Sequence, residues 1–136
     1  WAARPVGRRV HNLALTADGA VWSWGWGYSG RLGHGDEQRQ LLPKKVDALG
    51  GHRVVAVSAG ASHSLALTAD GSLWSCGRGR DGRLGHGDRE DQLLPKKIQA
   101  LVGQRVVTVS AGWQHVLAIT ADGSVWSWGG GGFGQL

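Results

Sequence analysis

One nine-residue phrase recurs along the chain at a fixed interval. His11-Asn-Leu-Ala-Leu-Thr-Ala-Asp-Gly returns as His63-Ser-Leu-Ala-Leu-Thr-Ala-Asp-Gly, and again as His115-Val-Leu-Ala-Ile-Thr-Ala-Asp-Gly, 52 residues apart each time. Residues 11–62 and 63–114 agree at 35 of 52 positions without a gap, and residues 115–136 agree with the start of the second unit at 14 of 22. The chain therefore divides into a divergent lead-in (1–10) that could end a preceding unit, a first repeat (11–62), a second (63–114) and part of a third (115–136). Repetition at this period means one supersecondary unit copied, each copy covering its neighbour's apolar face.

The unit reads as strands. Arg53-Val-Val-Ala-Val-Ser is β-branched and ends before Gly60, and His63-Ser-Leu-Ala-Leu-Thr alternates. Asp70–Gly71 predicts a two-residue hairpin turn, as do Asp18–Gly19 and Asp122–Gly123, because glycine takes positive φ at little cost and aspartate bonds its own turn. Ser72-Leu-Trp-Ser-Cys is the return strand. After the glycine-rich stretch 77–88, Leu93-Leu-Pro-Lys-Lys-Ile reads as an edge strand, since Pro95 lacks a ladder donor and Lys96–Lys97 discourage further pairing. Short helical turns are expected only near Val46–Leu49 and Ile98–Leu101. The fold class is all-β: a partial β-propeller of four-stranded antiparallel blades, about 2.4 repeats long.

Composition narrows the classes. The 24 glycines follow no collagen period, and no apolar run is long enough for a membrane-spanning helix. One cysteine, Cys76, excludes an internal disulfide framework. Fifteen Lys and Arg against ten Asp and Glu leave a net charge of +5, dispersed along the chain. That weakly favours acidic partners. The absence of any methionine implies a piece of something longer.

The stretch Val54-Val-Ala-Val-Ser-Ala-Gly-Ala-Ser-His-Ser-Leu-Ala-Leu-Thr, followed by Leu73-Trp-Ser-Cys-Gly-Arg-Gly and Gly82-Arg-Leu-Gly-His-Gly-Asp, resembles the regulator of chromosome condensation repeat. The resemblance covers residues 11–136. It implies a seven-bladed propeller with about 50 residues per blade. This chain is too short to close such a ring, so the expectation is self-association or a longer parent chain. The family's activities diverge: nucleotide exchange on a Ran-like small GTPase with chromatin binding, ultraviolet-B perception through tryptophans, ubiquitin-ligase domains, ciliary trafficking and bacterial inhibitors. Fold alone does not choose among them.

The residues that suggest chemistry have a plainer reading in the repeat. Gly25-Trp-Gly-Tyr-Ser-Gly30, Gly77-Arg-Gly-Arg-Asp-Gly82 and Gly129-Gly-Gly-Gly-Phe-Gly134 spell a dinucleotide fingerprint, but Gly33, Gly35, Gly85 and Gly87 forbid the helix that such a site needs. His11, His63 and His115 recur once per unit, as do His34 and His86, without metal-ligand spacing, so hydrogen bonding is preferred to metal binding. Asp18, Asp70 and Asp122 are turn residues rather than acid–base catalysts. Cys76 aligns with Trp24 and Trp128 and is expected to be buried and inert. Trp22, Trp74 and Trp126 stand two residues before them, on the same strand face, and are expected to pack between blades as core. Gly112-Trp113-Gln114-His115-Val116 partly resembles the Gly-Trp-Arg-His-Thr motif of the plant ultraviolet-B photoreceptor, with Gln and Val replacing Arg and Thr. Arg31, Arg78, Arg80 and Arg83 read as solvated loop charge that could instead meet phosphates or acidic surfaces.

Two functional readings follow. The first is a non-enzymatic interaction propeller that binds proteins through its loops, without cofactor or metal. Partner contacts are expected where the units differ: Trp113, Arg78, Arg80, Trp26 and Tyr28. The second is guanine-nucleotide exchange on a small GTPase, with chromatin binding; ultraviolet-B perception is a lesser alternative. The expected location is intracellular, cytoplasmic or nuclear, and no membrane partner is implied.

Overall fold

Each Thr-Ala-Asp-Gly segment reverses the chain between two strands and sets the register beside it. The structure, a computed structural model, describes residues 10–130. In the second repeat Thr68 N donates to Ser72 O at 2.9 Å and Gly71 N donates to Thr68 O at 2.9 Å. The loop thus has three residues, Ala69 to Gly71, where the sequence predicts two. It is a type I turn closed by a glycine at φ +87°. The aspartate side chain explains the longer loop: Asp70 Oδ1 accepts from Thr68 Oγ1 at 2.6 Å and from Ser72 N at 3.1 Å. Asp18 and Asp122 make the same pair of bonds in their own turns. Those bonds hold the Asp70 carboxyl low, at about 2.

The described residues form ten strands: β1 (His11–Leu15), β2 (Val21–Gly25), β3 (Gln40–Lys45), β4 (Val54–Ala59), β5 (His63–Thr68), β6 (Leu73–Gly77), β7 (Gln92–Lys97), β8 (Val106–Ala111), β9 (His115–Thr120) and β10 (Val125–Gly129). They form three antiparallel sheets in chain order: β1-β2-β3, β4-β5-β6-β7 and β8-β9-β10. The middle sheet is a complete four-stranded blade. Each 52-residue unit straddles two sheets, because residues 11–62 supply β1 to β3 to one sheet and β4 to the next. Pro95 lies in the edge strand β7. Single 3₁₀ turns occupy Asp47–Leu49 and Gln99–Leu101 as expected, and two more, Tyr28–Gly30 and Arg80–Gly82, lie in the glycine-rich loops, where none was expected. Lead-in residues 1–9, and the part of the third glycine-rich segment beyond Gly130, lie outside the described residues.

Packing between sheets supplies the core. Leu13, Val21, Val46 and Leu49 of the first sheet meet Val54, Ala59 and Ala66 of the second, with Trp74 packed against them. Leu65, Leu67, Leu73, Ile98 and Leu101 of the second meet Val106, Val116 and Ala118 of the third, with Trp128 alongside. All six residues of β5 are buried, whereas β9 alternates. Trp22, Trp24, Trp74 and Trp128 are partly buried, and Trp74 also lies against the His52 ring at a centroid distance of 4.8 Å. Trp126 departs from the expected buried core, at 38% exposure. Among the described residues β10 has no fourth strand beside it, and Gln104 stands where His52 covers Trp74.

Equivalent leucines provide a paired test. Leu65 is 1% exposed and Leu117, one repeat later, is 37% exposed. Leu65→Ala should cost about 2–5 kcal/mol, and Leu117→Ala at most about half of that. Urea denaturation of the two variants under identical conditions measures the difference; equal losses would contradict this packing.

Candidate functional site

Antiparallel alternation sorts the connections to two ends. One end carries the Asp-Gly hairpins and the 3₁₀ turns Asp47–Leu49 and Gln99–Leu101. It has a crevice of about 410 Å³ beside Asp18 and one of about 550 Å³ beside Asp70. Because the crevice recurs from one repeat to the next, it belongs to the frame. The other end gathers the β4–β5 turn (60–62), the β8–β9 turn (112–114) and the long loops 26–39 and 78–91.

At this second end lies an open cleft of about 860 Å³. Trp26, Tyr28, Arg78, Arg80 and Trp113 all line it, joined by Arg31, Arg83 and Gln114. The five positions chosen because the repeats differ there are thus brought to one place from three sheets. Trp113 is 72% exposed and Tyr28 is 59% exposed, while Trp26 and Arg78 are partly buried.

Arg31 and Arg83 correct the sequence reading of solvated charge. They are 6% and 3% exposed. Each guanidinium folds back on its own loop: Arg31 Nε donates to Tyr28 O at 2.7 Å, and Arg83 Nε donates to Arg80 O at 2.8 Å. Arg31 Nη1 reaches Ala61 O at 3.2 Å, and Arg83 Nη1 reaches Ser62 Oγ at 2.7 Å. Burial, then repulsion from neighbouring arginines, lowers the pKa of Arg31. Burial lowers that of Arg83 also, against the attraction of Asp81. The signal for burial was present in the chain: both arginines stand in the repeated Gly-Arg-Leu-Gly-His-Gly-Asp, whereas Arg78 and Arg80 align with Trp26 and Tyr28.

Among the described residues the glycine-rich loops hold no α-helix, only the kinked 3₁₀ turns Tyr28–Gly30 and Arg80–Gly82. They turn through Ser29 and Asp81, both at φ +64°. Gly30 is required by contact, because a Cβ there would collide with Leu93 Cα of the next sheet. His34 and His86 pair through Nε2 with Ser23 Oγ and Ser75 Oγ, both at 2.9 Å. His11 Nε2 lies 2.8 Å from Ser64 Oγ of the next sheet. No cluster of metal-ligating side chains occurs among the described residues. Cys76 is buried, with its thiol pushed up to about 12, which removes the nucleophilic thiolate at neutral pH. No helix among the described residues is long and apolar enough to cross a membrane.

The comparisons agree with this architecture. The regulator of chromosome condensation (RCC1) repeat matches at residues 18–67 and 70–119, and a second form of the same repeat at 54–83 and 106–135. The chain belongs to the RCC1 repeat family. It is 40% identical over 126 residues to the ultraviolet-B receptor UVR8 of Arabidopsis thaliana, covering 93% of this chain and 29% of that protein. It is 48% identical over 128 residues to the E3 ubiquitin-protein ligase HERC2 of Homo sapiens, covering 93% of this chain and 3% of that protein. Among solved structures, human WBSCR16 superposes with a TM-score of 0.80 at 31% identity, over 90% of this chain and 32% of that one. Yeast RCC1 (Prp20), solved bound to Kap60, gives 0.77 at 31% identity, over 90% and 30%. The chain therefore spans less than a third of the length of these RCC1-repeat relatives.

His63 generates a pH prediction. It is fully buried, and burial, followed by the charge of Arg83, lowers its pKa from 6.5 to about 4 against a backbone hydrogen bond to His115 that acts the other way. The unfolded state therefore binds the extra proton first. Stability is complete above about pH 6.5 and falls by about 3 kcal/mol as the pH drops to about 4. His34 and His86, also lowered, act in the same direction. Urea midpoints across that range should fall steeply for the native chain and less steeply for His63→Gln.

Proposed function

We propose that this chain is a non-enzymatic binding segment of a propeller, and that it engages protein partners through the cleft lined by Trp26, Tyr28, Arg78, Arg80 and Trp113. The observation that carries the reading is convergence. Five positions that vary between repeats meet in one cleft, while most repeated positions serve turns, edges and core and the repeated Arg31 and Arg83 form the cleft's buried floor. Exposed aromatic and arginine side chains on a fixed frame are the usual anchors of protein interfaces. Solved relatives fit a binding role: one structure shows yeast RCC1 bound to Kap60, and another is described with binding of Prp20p to Gsp1p and histones.

The exchange and ultraviolet-perception readings draw less from the cleft. Ala61 stands where the next repeat has Trp113, so the tryptophans do not form a repeated ring.

Alanine substitution tests the proposal. Trp113→Ala and Arg80→Ala should each lower recovery of partners by about tenfold or more, with melting temperatures little changed because both side chains are exposed. Pull-down and thermal melting are scored on the same samples. If recovery falls only in step with stability, the cleft is not the binding face.

A further inference from the structure

Four arginines line the cleft, and no acidic side chain lines it. The single ion pair among the described residues lies at its margin, where Asp81 Oδ2 meets Arg83 Nη2 at 3.2 Å. The repeat supplies an internal comparison. Arg31 occupies the same position one repeat earlier, with the same φ +64° residue two places before it, but that residue is Ser29. Arg31 is 6% exposed and, among the described residues, bonds to the carbonyls of Tyr28 and Ala61 and to no anion. The nearby carboxylates are engaged elsewhere: Glu37 Oε1 accepts from Ser29 N at 2.8 Å, and Asp91 Oδ1 accepts from Gly79 N at 2.9 Å. A buried guanidinium without a contacting anion is costly, and here it is pressed further by the charges of Arg78 and Arg83, which the attraction of Asp91 only partly offsets.

Resting on the binding reading above, we propose that the cleft recognises a carboxylate-rich peptide segment, whose acidic side chains do for Arg31, Arg78 and Arg80 what Asp81 does for Arg83. Guanidinium–carboxylate pairs supply the anchoring bonds, and Trp113, Tyr28 and Trp26 cover the peptide's apolar parts. A long nucleic acid fits less well. Asp36 and Glu37, with Asp88, Glu90 and Asp91, sit in the halves of the loops that lead to the outer strands β3 and β7, so an extended polyanion leaving the cleft would run over like charge.

The test is fluorescence anisotropy on the full chain with four labelled probes: a short peptide of alternating Asp and Gly, its Asn counterpart, its phosphoserine counterpart, and a short oligothymidylate. The Asp peptide should bind, the Asn peptide should bind roughly tenfold more weakly or not at all, and added salt should weaken the Asp peptide. Arg80→Glu should weaken it by about tenfold. Asp81→Asn removes the competing internal carboxylate and keeps a residue that tolerates positive φ, so it should tighten binding of the Asp peptide roughly two- to fivefold, while the melting temperature without peptide falls because the buried Arg83 loses its contacting anion. A purely structural role for Asp81 predicts no gain. Equal binding of the Asn peptide, preference for phosphoserine or oligothymidylate, no binding of any probe, or no gain from Asp81→Asn would each overturn the proposal. If those results came while Trp113→Ala still abolished partner recovery, the binding face would stand and only its acidic chemistry would fall. Loss of both would remove the binding reading as well.

Discussion

A β-sheet with apolar side chains on both faces cannot be stable by itself, and every feature of this chain follows from that constraint. β5 shows it directly: Leu65 and Leu67 point to the third sheet, and Ala66 points to the first. Burying both faces requires a neighbour on each side, so the repeat is a packing requirement written into the sequence. The 52-residue unit crosses from one sheet to the next, which ties each blade covalently to its neighbour. Hydrogen bonds reinforce the contact at both ends. Val54 N and Val106 N donate to Gly19 O and Gly71 O, each at 3.1 Å, across sheet boundaries. Where a neighbour is missing among the described residues, the same positions open: Leu117 and Ile119 are 37% and 39% exposed.

This frame also positions the cleft. Ser64 Oγ donates to Arg31 O at 2.6 Å, Trp128 Nε1 donates to Arg83 O at 3.1 Å, and Gly35 N donates to Leu93 O at 2.9 Å. Each bond fastens an arginine-bearing loop to the following blade. Long loops are usually the mobile part of a protein. Here the glycines let them lie flat against the next sheet, so the side chains facing the cleft are set by core packing. A partner engaging the cleft as proposed would meet a surface that is largely ordered beforehand, which reduces the entropic cost of binding.

Much of this was legible in the sequence because the chain carries its own comparison. Positions identical between repeats, such as Asp70, Gly71, Pro95 and Leu65, serve turn, edge and core. Positions that differ, such as Trp26 against Arg78 and Ala61 against Trp113, converge on the cleft. Three features were not legible. The hairpin has three residues because the Asp70 carboxylate bonds both flanking positions, a tertiary detail that the Asp-Gly pair does not reveal. Trp126 is more exposed than the tryptophan pattern implies, because exposure depends on neighbouring strands and on His52 or Gln104. Arg31 and Arg83 are buried although a glycine-rich, charged loop reads as solvated. Charge alone carries no information about carbonyls folded within reach of a guanidinium.

The central claim is that stability in this chain is conferred from blade to blade rather than within each sheet. Native-state amide hydrogen exchange, read residue by residue, tests it most directly. The account predicts that β5, enclosed on both faces, exchanges most slowly, and that β9 and β10, with one face less covered, exchange markedly faster despite their near-identical sequence. Equal protection of β5 and β9 would contradict it, since each sheet would then be stable without its neighbours.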